Sequence, residues 1–76
     1  MELTVTEGAP MSGELLNTAM ERGNLPEGCL VVALMRDGEI RAPRGDTRIC
    51  AGDEVTVFTD DASLSDAVQA FTGNHR

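Results

Sequence analysis

Leu3-Thr4-Val5-Thr6 alternates apolar and polar residues, the mark of a strand with one buried face. Gly8-Ala9-Pro10 halts it. The spacing then becomes helical. Leu15, Leu16, Ala19 and Met20 fall on one helix face, Ser12 is placed to cap, and Met11 is placed to staple onto Leu16. Arg22 in the last turn and Gly23 after it suit a helix end. Beyond the loop Asn24–Gly28, the run Cys29-Leu-Val-Val-Ala-Leu-Met35 shows no alternation and is rich in branched residues, so it reads as a central strand covered on both faces. Asp37-Gly38 is a strong hairpin signal, and Glu39-Ile40-Arg41-Ala42 is the return strand, ended by Pro43. Thr47–Cys50 is a short strand or a single helical turn. Glu54–Thr59 is a strand with Val55 and Val57 on one side and Phe58 on the other. Asp60 and Asp61 open a last helix, in which Leu64, Ala67, Val68 and Phe71 keep the i, i+3, i+4, i+7 spacing. Gly73 closes it, before a polar tail, Asn74-His75-Arg76. The order predicts a small α+β domain, β-α-β-β-(short)-β-α, with a mostly antiparallel sheet packed with two helices.

The length, 76 residues, suits one domain spanning 1–76. A domain this small buries only about 60% of its unfolded surface, so covering part of its core with a second copy is a natural remedy. Thirteen acidic residues against six basic ones give a net charge of −7, which disfavours nucleic acid and anionic membranes as partners. The longest apolar run, seven residues, is far short of the roughly 20 needed to span a bilayer. The opening Met1-Glu2 has no basic, apolar signal region, and the first strand begins so early that the chain reads as a fragment of a larger protein. Cys29 and Cys50, 21 positions apart in apolar surroundings, read as buried, reduced thiols.

Candidate chemistry is sparse. No catalytic residue is assigned, because the single histidine, His75, sits in the polar tail, away from any serine or cysteine that it might activate. Two separated cysteines and a tail histidine do not make a metal site. Asp37, Asp46 and Asp53 lie at turns, where aspartate bonds its own backbone; a cation held by Asp46 and Asp53 is the alternative. One asymmetry stands out. Arg36, Arg41, Arg44 and Arg48 stand against Asp37, Glu39 and Asp46, so that segment sums to +1 and the rest of the chain to −8. Arginine grips phosphate and carboxylate through its planar fork, so these four residues are either a site for an anionic ligand or local partners of the nearby acids.

Four motifs, in order, resemble one family. Ala9-Pro10-Met11-Ser12-Gly13-Glu14-Leu15-Leu16 is similar to the opening of the TrkA-C domain, the C-terminal lobe of the regulator of potassium conductance (RCK_C). Leu30–Glu39 resembles its apolar strand ending in arginine and a glycine hairpin, Ala42–Ile49 its P-x-G-D-T-x-L element, and Ala51–Phe58 its x-G-D-x-L-x-V strand. The resemblance implies a non-enzymatic, cytoplasmic regulatory domain that forms a homodimer and is joined to a membrane-embedded channel or transporter domain of its parent, at the inner face of the membrane. Potassium uptake proteins and channels, antiporters, chloride channels and anion symporters carry such lobes. It also implies a nucleotide or cyclic dinucleotide as ligand in some members. Those with cyclic di-AMP tend to have an asparagine entering the apolar strand, where this chain reads Cys29-Leu30. A purely structural dimerisation domain without ligand is the alternative. The face of Leu15, Leu16, Ala19 and Met20, with the hairpin beside it, is the expected dimer surface.

Overall fold

The computed structural model describes residues 1–73; Asn74, His75 and Arg76, the tail expected from sequence, lie outside the described residues. Strand β1 is Glu2–Thr4, helix α1 Leu16–Arg22, β2 Cys29–Arg36, β3 Glu39–Arg41, β4 Glu54–Thr59 and α2 Leu64–Thr72, the last entered through a 3₁₀ turn at Asp61–Ser63. The strands form one sheet in the order β1-β4-β2-β3, with every neighbouring pair antiparallel. This is the α+β class expected from the periodicities.

The Asp37-Gly38 hairpin forms as the dipeptide predicts. Both residues have positive φ, 54° and 79°, and Arg36 pairs with Glu39 across a two-residue loop. Asp60 caps the turn before α2, its Oδ1 accepting from the Ser63 N–H at 2.8 Å.

Three expectations are corrected. First, α1 starts at Leu16, and Ser12 does not cap it. Gly13 has φ +85°, which ends the turn around Ser12 before a helix can grow. No side chain caps α1; the carbonyls of Thr47 and Gly45 accept the N–H groups of Leu16 and Asn17 at 3.0 and 2.9 Å. Segment 45–49 therefore serves as a backbone cap. Within it, Thr47–Cys50 is neither a strand of its own nor a helical turn, but an extended stretch bridged once, Leu15 to Arg48. Second, Cys50 is half-buried rather than buried. Third, β2 is covered on one face only. Cys29, Val31 and Leu34 lie in the core, whereas Leu30, Val32 and Met35 are exposed. A bulge between Val31 and Ala33 keeps the two sets on opposite faces.

The core lies between the sheet and the helices. Val31, Leu34, Val55 and Val57 from the sheet join Met11, Leu16, Ala19, Ile49, Ala67 and Phe71 in one cluster. The segment before α1 is tied to α2 by its backbone, Met11 N–H to the Ala70 carbonyl at 2.9 Å and Thr6 N–H to that of Phe71 at 3.0 Å.

Candidate functional site

The arginine-rich segment runs from the end of β2 round the hairpin to the loop before β4. Arg36 closes β2, and its guanidinium forks onto a carboxylate. Nε donates to Asp53 Oδ1 at 2.8 Å and a terminal nitrogen to Oδ2 at 2.7 Å, while the same nitrogen donates to the Arg48 carbonyl at 2.8 Å. Asp53 Oδ2 also accepts the Cys50 N–H at 2.8 Å. Asp53 is only 2% exposed. The Arg36 hydrogen bonds hold the Asp53 carboxyl below its ordinary pKa, with the Cys50 N–H acting the same way and burial acting against them. Arg36 is pushed up by the same contact. This pair is a clamp that fixes the 48–53 turn to the end of β2.

Arg48 is also engaged internally, donating to the Gly13 carbonyl. That bond, with Gly13 N–H to the Ile49 carbonyl at 2.7 Å and Ile49 N–H to that of Glu14 at 2.9 Å, holds the loop against the entry to α1. Arg41 makes a long, exposed contact with Glu39, 3.4 Å. Arg44 is exposed and its guanidinium has no partner among the described residues. The fold thus does not gather Arg36, Arg41, Arg44 and Arg48 into one cradle. Two of them build the loop, and Arg41 and Arg44 are left facing solvent. A shallow depression lined by Arg36, Asp37, Cys50, Gly52 and Asp53 lies over the clamp. Among the described residues no group of three metal-binding side chains converges.

Of the four residues expected at a dimer surface, Leu16 and Ala19 are buried in the domain's own core, Leu15 is half-buried, and only Met20 is exposed. The apolar surface lies elsewhere. Leu30 and Phe58 face each other across β2 and β4, Met35 and Ile40 across β2 and β3, all on the sheet face away from the core. Leu30 is 61% exposed, Phe58 64% and Ile40 73%. Sequence reasoning missed both this face and the Arg36–Asp53 clamp. The unbroken apolar run of β2 carries the signal for the first: it calls for cover on both faces, and the domain supplies it on one. Nothing local marks a pair 17 positions apart.

Comparison with known proteins agrees with this architecture. The TrkA-C domain family matches residues 1–72. A Trk system potassium uptake protein TrkA homolog from Archaeoglobus fulgidus is 34% identical over 59 residues, which is 78% of this chain and 13% of that protein's length. Among solved structures, an RCK_C domain dimer of S. agalactiae BusR in complex with c-di-AMP superposes with a TM-score of 0.68 at 20% identity, over 92% of this chain and 86% of that one. An RCK domain with cda superposes with a TM-score of 0.71 at 22% identity, over 93% and 94%. With the family matched from the first strand to the last helix and the same fold in both structures, the chain belongs to the TrkA-C (RCK_C) family.

Proposed function

We propose that this chain is the non-enzymatic regulatory domain of a longer ion-transport protein, acting on the cytoplasmic side as a homodimer and sensing a nucleotide or cyclic dinucleotide. The observation that carries this reading is the family match over residues 1–72, joined to the likeness to a TrkA potassium uptake homolog. Both structural neighbours, described as solved with c-di-AMP or cda, and one of them as a dimer, support the ligand class and the two-copy state. Among the described residues no helix is long and apolar enough to cross a membrane, so the membrane-embedded part is assigned to the rest of the parent. A ligand that binds the dimer better in one arrangement shifts the population of that arrangement, and a tether passes the shift to the pore.

A purely structural dimerisation domain is the second reading. It is favoured by the commitment of Arg36 and Arg48 to internal bonds, which leaves two of those four arginines, Arg41 and Arg44, for an anion.

Thermal unfolding against a panel of cyclic dinucleotides, mononucleotides and cations separates the two. A ligand at 100 times its Kd stabilises by about 2.7 kcal/mol, which raises the midpoint of so small a domain by roughly 10 °C or more. We expect such a shift with c-di-AMP or another nucleotide, and expect Arg44→Ala to reduce it. No shift with any compound selects the structural reading.

A further inference from the structure

We infer that residues 43–52 form a strap over the start of α1 that opens as one unit, and that the Arg36–Asp53 pair is its latch, so that α1 keeps its first turn only while the latch is closed. The inference stands apart from the ligand and two-copy readings above, since every group it uses belongs to a single chain.

The first observation is the dependence of α1 on the strap. α1 has seven residues, well below the roughly 12–15 at which an isolated helix is even marginal in water, and no side chain caps it. Two of the N–H groups that a helix start leaves without an intrahelical acceptor, those of Leu16 and Asn17, go to strap carbonyls, Thr47 at 3.0 Å and Gly45 at 2.9 Å. Just ahead of the helix, the Gly13 N–H bonds to the Ile49 carbonyl and the Ile49 N–H to that of Glu14. Lifting the strap breaks all of these together.

The second is how lightly the strap is held. Of residues 43–52 only Ile49 is buried. A segment with so little buried surface belongs to the low-stability end of a structure. It is kept in one piece by its own bonds, Thr47 N–H to the Arg44 carbonyl at 3.0 Å and Arg44 N–H to Thr47 Oγ1 at 2.8 Å. Its far end suits a hinge, because Gly52 has φ +91° and is fixed to the Val5 carbonyl at 2.8 Å.

The third is the latch. From the end of β2, Arg36 reaches the strap directly at the Arg48 carbonyl and indirectly through Asp53, which accepts the Cys50 N–H. Arg48 carries the connection onward, its guanidinium donating to the Gly13 carbonyl. A continuous run of hydrogen bonds thus leads from β2 to the entry of α1. The fork onto Asp53 is charge-assisted and so among the stronger bonds available, and removing it leaves an almost wholly buried carboxylate without its cation. α1 in turn carries Met20, which lines a hollow with Leu30 and Phe58, so a change at the latch has a path to the open face of the sheet.

The test is native-state hydrogen exchange of the 76-residue protein, followed by NMR as urea is raised from zero. In wild type, the amides of Gly13, Leu16, Asn17 and Ile49, together with Ala19 inside the first turn of α1, should share one opening free energy, lower than that of the β2–β4 amides. Arg36→Gln should speed exchange of all five at least about 10-fold. Asp60→Ala removes a cap at the start of α2, whose bond survives when the strap lifts, so it should speed the β2–β4 amides and leave the five unchanged. If Arg36→Gln does not fold, the wild-type profile decides alone. Leu16, Asn17 and Ala19 exchanging only with the β2–β4 amides in wild type would overturn the strap. Five amides unmoved by Arg36→Gln, or moved as far by Asp60→Ala, would overturn the latch.

Discussion

Asp53 shows how one side chain can hold a loop together. Its carboxylate takes two bonds from Arg36 and one from the Cys50 N–H while almost wholly buried. Asp53→Ala leaves the Arg36 fork and the Cys50 N–H without their acceptor, and should cost about 2–4 kcal/mol of stability, measured by urea unfolding. Asp53→Asn should cost less, because the amide oxygen still accepts. The pH dependence follows from the direction of the shift. The folded-state pKa of Asp53 lies below its unfolded value, ordinarily about 3.9, so its contribution is fully present above that value and is lost as pH falls through the depressed one. Wild type should therefore lose stability more steeply than Asp53→Asn below about pH 4. An equal slope in the two proteins would remove Asp53 from the acid response. From sequence, Asp53 reads as a turn aspartate that bonds nearby backbone, and it does. Its tie to Arg36 depends on β2 and the 48–53 turn meeting in space, which no local pattern encodes.

Among the elements, the hairpin and α2 were the most legible, because their signals are local. Gly38→Ala forces an L residue to φ +79° and should cost about 1 kcal/mol, read from the thermal midpoint. Gly28 has a different role. A Cβ there would press directly onto the Ser63 hydroxyl and the Asp60 carboxylate, whose Oδ1 caps the 3₁₀ turn by accepting the Ser63 N–H. Gly28→Ala should displace that cap and cost about 1–2 kcal/mol, and Asp60→Ala in the same background should then cost little more, since the cap is already lost. The start of α1 was misread for a clear reason. Ser12 and the staple pattern are a genuine start signal, but the backbone of segment 45–49 offers a competing cap three residues after it, and Gly13 breaks the helix between the two. Tertiary hydrogen bonds outweighed the local preference.

At the level of the whole molecule, the domain depends on a thin core in which Phe71 is one of two aromatic residues and is fully buried. Stability of roughly 0.05–0.15 kcal/mol per residue puts a chain of 76 residues at about 4–11 kcal/mol. Phe71→Ala, at about 3–5 kcal/mol, should therefore remove a large share of that stability and lower the thermal midpoint steeply, checked by circular dichroism. Phe58→Ala removes an equally large side chain from the exposed sheet face and should shift the melting of a dilute sample little, since surface substitutions are usually within about 0.5 kcal/mol. The contrast between the two phenylalanines tests which face of the sheet the domain itself covers.

The class of fold, the order of its elements, the hairpin register and the closing helix were all written in short-range periodicity and turn chemistry, because those features depend on neighbours within a few residues. Four weak motifs in order were enough to bring the family into view. The placement of the arginines was a matter of three-dimensional packing. Arg36 and Arg48 are used internally because the 48–53 turn folds back onto β2 and the 45–49 segment lies against the start of α1. The same holds for the apolar surface. Hydrophobic periodicity says that β2 needs cover on both sides, but only the packing of both helices on one side of the sheet shows which side stays open.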